Sequence, residues 1–141
     1  MITLHIAKLL QNNGFGTLAL TGSETGNNLI YWEKLPLGKT GVYIMSNGDA
    51  LSRGRRMSQT FNIYARGVND IDGAKRLKAI LSFFNKECYP SCDLPIVAGY
   101  SEDTYSKTII LPTSNISNVG LDNTDRIIYS ITAQIIYKEE N

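Results

Sequence analysis

One histidine and two cysteines are all the soft metal-ligand chemistry in this 141-residue chain. His5 stands alone near the start, and Cys88 and Cys92 flank Tyr89-Pro90-Ser91, so three possible zinc ligands occur with no zinc-site spacing. A Ser-His-Asp or Cys-His nucleophile site would have to use His5. The helical pattern around His5 places it on the polar side, where a solvent-exposed histidine is expected. We therefore expect no metal, no catalytic cofactor, no catalytic residue and no enzyme activity.

Charge of one sign is also missing. Fourteen Lys and Arg against thirteen Asp and Glu leave a net charge of +1, which excludes a globally basic nucleic-acid binder and an acidic disordered tail. No apolar run reaches the ~18–20 residues needed to span a bilayer as a helix, so no membrane partner is expected. Met1 to Asn13 is interrupted by Lys8 and Gln11 and is followed by no small-residue cleavage site. It reads as a helix of the mature chain, with reduced thiols in a cytosol. Asn115-Ile116-Ser117 matches a glycosylation acceptor that has no meaning without secretion.

What is present suffices for one domain over residues 1–141, with 43% hydrophobic residues for its core. Ile2, Ile6, Leu9 and Leu10 recur at helical spacing, and Asn12-Asn13-Gly14 ends that helix. Thr21 to Asn28 is a polar loop. Leu29 to Trp32 and Gly41 to Ser46 read as strands, separated by Leu35-Pro36-Leu37-Gly38 and closed by Asn47-Gly48-Asp49. Gln59 to Arg66 alternates, with Phe61, Ile63 and Ala65 on one face. A helix follows Gly67, capped by Asn69 or Asp70, with Asp72 and Lys86 suited to its dipole and Ala74, Leu77, Ile80, Leu81 and Phe84 turned to the core. Cys88 to Pro95 is a turn-rich connection, and Lys107 to Leu111 is a strand stopped by Pro112. Arg126 to Lys138 is rich in β-branched residues and Tyr and reads as the longest strand. Strands in runs between two helices predict an α+β fold, a mostly antiparallel β-sheet with both helices packed on one face.

Two nucleotide-like strings fail on context. Gly14-Phe15-Gly16-Thr17-Leu18-Ala19 follows a helix and opens a loop, whereas a dinucleotide fingerprint leaves a strand and starts a helix. Gly38-Lys39-Thr40 has Glu33 where a phosphate loop needs its first glycine. Helix capping accounts for Asp70 and Asp72, and solvation for Glu102, Asp103, Asp122 and Asp125. Arg53, Arg55 and Arg56 form the one real charge cluster, read as an exposed loop between two strands that meets a partner or a ring lumen.

The segments Leu9 to Leu18, Leu29 to Pro36, Val42 to Gly48, Gln59 to Gly67 leading into Asp72-Gly73-Ala74, and the closing strand lie in a telling order. That order and spacing resembles the tail terminator proteins of long-tailed bacteriophages, also described as minor capsid or tail completion proteins. Before the last strand, that family tends to read Gly, acid, Gly-Arg. Here Gly120-Leu121-Asp122-Asn123-Thr124-Asp125-Arg126 keeps the ends and lacks the inner glycine. The resemblance implies a structural virion protein at the head–tail junction, assembled in the host cytoplasm. Its subunits form a homo-oligomeric ring, typically a hexamer, that caps the tail tube protein, ends tail polymerisation and receives head-completion or neck proteins, with DNA only as cargo through the lumen. A head-closure or other neck protein is the nearest alternative, and a monomeric host-directed binding module is another. A ring needs a lateral contact, and the last strand is the candidate. Thirteen residues at ~3.3 Å each reach about 43 Å, beyond the roughly 37 Å diameter of a compact domain this size. An exposed strand edge carrying Ile128, Gln134, Ile136 and Lys138 is expected to make the subunit contact.

Overall fold

The alternation of Gln59 to Arg66 becomes the spine of an eight-stranded sheet in the computed structural model, which describes residues 2–34, 36, 38–122 and 124–138, Arg53 by its backbone alone. The elements in chain order are α1 (Ile2–Asn12), β1 (Thr17–Leu18), β2 (Leu29–Trp32), β3 (Gly41–Arg53), β4 (Arg56–Arg66), α2 (Asp72–Glu87), β5 (Cys92–Leu94), β6 (Tyr105–Pro112), β7 (Ser117–Leu121) and β8 (Ile127–Tyr137). The sheet order is β1-β2-β3-β4-β8-β6-β5, with β7 beside β8. β1, β2 and β3 run parallel, and every other pairing is antiparallel. The fold is α+β, as the residue pattern predicts.

Both helices cover the same sheet face. Ile30, Val42, Ile44, Phe61, Ile63, Ile131 and Ile135 meet Leu4, Ile6 and Leu10 of α1 and Leu77, Ile80 and Phe84 of α2 in one buried cluster. Glycine permits the close approach of the parallel strands where their pairing begins. A Cβ on Gly16 would lie 2.7 Å from the Asn28 carbonyl oxygen, and one on Gly41 would lie 2.5 Å from that of Leu29. The N-cap of α2 is Ile71, without a side-chain cap, and not Asn69 or Asp70; Asn69 closes the turn leading into the helix, its Oδ1 accepting from the Ile71 and Asp72 amides, both at 3.0 Å. Asp70 instead accepts the Tyr129 hydroxyl on its carbonyl at 2.8 Å.

Several expectations are corrected here. Asn47-Gly48-Asp49 does not end a strand; it is a bulge inside β3, and the pairing with β4 resumes at Leu51–Ser58. β1, β5 and β7 are too short or too polar to carry a period-two signal. α1 is buried nearly all round, not only on one stripe, because it also packs against β5. The larger correction concerns the last strand. β8 presents no open edge: one side pairs with β4 from Ile128 to Tyr137, and the other pairs with β7 and then β6. Its eleven residues run without a bulge against β4, about 36 Å at the usual rise, so it fits inside one subunit. Leu35 and Leu37 of the expected β2–β3 boundary, and Asn123 of the turn before β8, lie outside the described residues.

Candidate assembly surfaces

The sheet face without a helix is made by the other half of each alternation. Tyr31 and Tyr43 stack there with centroids 5.2 Å apart, and Tyr64 packs beside them. Towards the middle the face turns polar. Thr132 Oγ1 donates to Asn62 Oδ1 at 2.8 Å, and Gln134 Nε2 donates to Ser58 Oγ at 2.6 Å. Ile128, Gln134 and Ile136, expected to meet a second subunit, lie half-buried on this face; Lys138 is exposed just past the end of β8. The structure thus brings them to a face of the sheet and not to an edge.

A buried ion pair anchors one corner of that face. Arg66 is 2% exposed and pairs with Asp122; its Nη1 donates to the Lys39 carbonyl at 3.0 Å and its Nη2 to Thr124 Oγ1 at 2.6 Å. Asp122 Oδ1 accepts the Thr124 amide at 2.8 Å and the Arg126 amide at 3.1 Å, which shapes the turn before β8. Arg126 Nη1 then reaches Thr40 Oγ1 at 2.7 Å. Solvation, the expected state of Asp122, is therefore wrong: its side chain is 9% exposed because Arg66 lies against it. Tyr43 donates to the Lys39 carbonyl, and burial pushes its phenol above the usual value. Two adjoining clefts flank this corner and share Pro36. One of about 300 Å³ lies between Tyr43, Tyr64, Val119 and Ile128; the other, about 310 Å³, lies between Leu29, Tyr31 and Lys39.

Besides the outer sides of its end strands β1 and β5, the sheet carries two further open edges, unlike each other. β2 pairs with β3 only as far as Ile44. There Glu33 takes over, its carboxylate accepting the Ser46 amide at 2.7 Å and hydroxyl at 3.0 Å. From Asn47 to Arg53 no strand among the described residues pairs with the outer side of β3. The second edge is the outer side of β7, exposed throughout, with Val119 at 52% and Leu121 at 64% exposure. The arginine cluster sits at the tip of the β3–β4 hairpin, where Arg53 pairs with Arg56 through the backbone and Gly54-Arg55 make the turn. Arg55 and Arg56 are exposed, and the side chain of Arg53 lies outside the described residues.

His5 is the clearest reversal. It is fully buried, hydrogen-bonded through Nδ1 to the Pro95 carbonyl and through Nε2 to Ser101 Oγ, both at 2.8 Å, with Tyr105 edge-on at 4.9 Å. Its partners lie 90 and 96 residues away in sequence, so no local pattern announces its burial. Both cysteines are free thiols. A hydrogen bond between them raises Cys88, with burial as the second cause, and lowers Cys92. Among the described residues no three His, Cys, Asp or Glu side chains gather as a metal site, and no helix is long and apolar enough to cross a membrane. The chain matches no protein-family model and no curated protein sequence.

Proposed function

We propose that this protein is an assembly subunit that closes into a ring and caps a phage tail tube, ending its polymerisation and readying it for head attachment. The single observation that carries the reading is the pair of unlike open edges on one sheet, outer β3 and outer β7. A head-to-tail ring needs two different, mutually complementary surfaces on each subunit, and strand edges supply both backbone hydrogen bonds and side-chain contacts. Exposed Leu51 on one edge and Val119 and Leu121 on the other add apolar area to cover. The order of the segments that resembles tail terminators supports the tail-tube role specifically. Ile128, Gln134 and Ile136 then belong to a face that borders the contact, without supplying its edge.

The test is light scattering after size exclusion, with electron microscopy of the same fractions. The expected species is a ring with about six times the 15.6 kDa subunit mass. Val119→Pro on the outer strand should shift it to monomer while the subunit melts as before, since β7 is exposed throughout. A wild type that stays monomeric at high concentration, alone and on tail tubes, would overturn the ring. A ring that neither caps tubes nor limits their length would overturn the terminator role and leave a neck protein as the reading.

A further inference from the structure

Strand register gathers cations that are distant in sequence at one end of the sheet. Lys138 follows Tyr137, whose partner on β4 is Met57, so it lies level with Arg56. Arg56 Nη1 reaches past that position to the Lys107 carbonyl on β6 at 3.4 Å. Arg56, Lys138 and Lys107 therefore form a row across β4, β8 and β6, with Arg55 beside it on the hairpin tip; all four residues are exposed. Neighbouring strands are about 4.8 Å apart, so the row spans about 10 Å. Like charges facing each other across strands destabilise a sheet. Asp93 touches the row, its Oδ1 accepting the Lys107 amide at 3.0 Å, and keeps its charge, so four cations stand against this one carboxylate; Asp49 sits in the β3 bulge. Glu139 and Glu140 follow Lys138 outside the described residues.

We propose that Arg55, Arg56, Lys107 and Lys138 bind the phosphate backbone of nucleic acid without reading its bases. Duplex DNA carries one charge per about 1.7 Å of axis, so a 10 Å row meets several phosphates at any register. Guanidinium forks suit phosphate oxygens, and lysines add charge without fixed geometry. No aromatic residue stands in the row to stack on a base, which favours backbone contact over base recognition. The net charge of +1 is no obstacle, because the binding surface is one end of the sheet. This inference concerns a single subunit and stands whether or not the chain forms a ring.

The experiment is fluorescence anisotropy of a labelled 20-base-pair duplex of arbitrary sequence against the full chain at several salt concentrations. The expected log–log salt slope is about −3, roughly a 60-fold loss of affinity between 50 and 200 mM salt. The triple variant Arg55→Gln, Arg56→Gln, Lys138→Gln should bring the slope to about −1, with at least a tenfold loss at 50 mM salt. A control removing equal charge from α2, at Lys75, Lys78 and Lys86, should bind within about twofold of wild type. Adding salt should raise the melting temperature of the wild type more than that of the row variant, since screening relieves the crowding. No binding by wild type at 50 mM salt, or an equal loss in the α2 control, would overturn the proposal. Binding of a polyglutamate peptide with none of the duplex would overturn it too, and would assign the row to an acidic protein.

Discussion

Along β4 and β8 two cross-strand pairs stand side by side and lead opposite lives. Ile63–Ile131 is wholly buried under the helices, whereas Asn62–Thr132, one residue along, lies half-buried on the helix-free face and is joined by a side-chain hydrogen bond. The covered face is held by apolar area that any well-packed core would supply. Its opposite is held by specific partners: stacked tyrosines, amide–hydroxyl pairs and one buried ion pair. The difference teaches that stability is concentrated on one side and geometric definition on the other. The helix-free face is fixed by directional contacts without being sealed.

Substitutions can break or sharpen that contrast. The largest loss is expected on the covered face: Phe84→Ala removes a fully buried ring that packs edge-on against Phe61 and should cost about 4 kcal/mol in urea unfolding. Next is the corner of the helix-free face. Arg66→Met strands the Asp122 carboxylate and should cost about 3 kcal/mol, less than the extreme for buried pairs because the Thr124 and Arg126 amides still hold the carboxylate. Pairing it with Asp122→Asn, which keeps an acceptor for the Thr124 and Arg126 amides, should recover most of that loss; a double variant as unstable as the single would show that the ion pair itself stabilises the corner. Thr132→Val deletes the Asn62 contact and should cost about 1 kcal/mol. A loss as large as that of Phe84→Ala would erase the distinction between the faces.

The smallest effect belongs to the loop edging the helix-free face. Glu24 is held down to about 2, first by the Thr21 backbone amide and then by its own. Because the folded value is the lower one, its contribution is present above the unfolded value of about 4.5 and is lost as pH falls through about 2. A carboxyl titration followed by NMR should find that midpoint; one near 4.5 would mean the loop does not fold around the side chain.

Where signals were local, the residues spoke plainly. α2 announced itself by its spacing, and β2 by a bounded apolar run. Phe61, Ile63 and Ala65 declared the covered face by alternation. What stayed hidden depended on distant partners. Nothing near His5 points to Pro95 or Ser101, and nothing near Arg66 points to Asp122. Composition identified β8 as a strand, yet a central strand and an edge strand can share the same β-branched residues. The arginine cluster was visible, but Lys107 and Lys138 join it only through register.

The place of β8 also bears on how the chain reaches its fold. It is the last element in chain order, yet β4, β6 and β7 all pair with it. Asn62 must wait for a partner 70 residues downstream. At about 5–20 residues per second, a growing chain spends several seconds with the far edge of β4 unclosed. During that interval the strand edge and the apolar residues of the covered face are open to other chains. Closure by β8 is a long-range, late event, so folding should be slow for a domain this size. Its vulnerable moment falls before β8 emerges, when crowding among nascent copies would favour aggregation over the finished sheet.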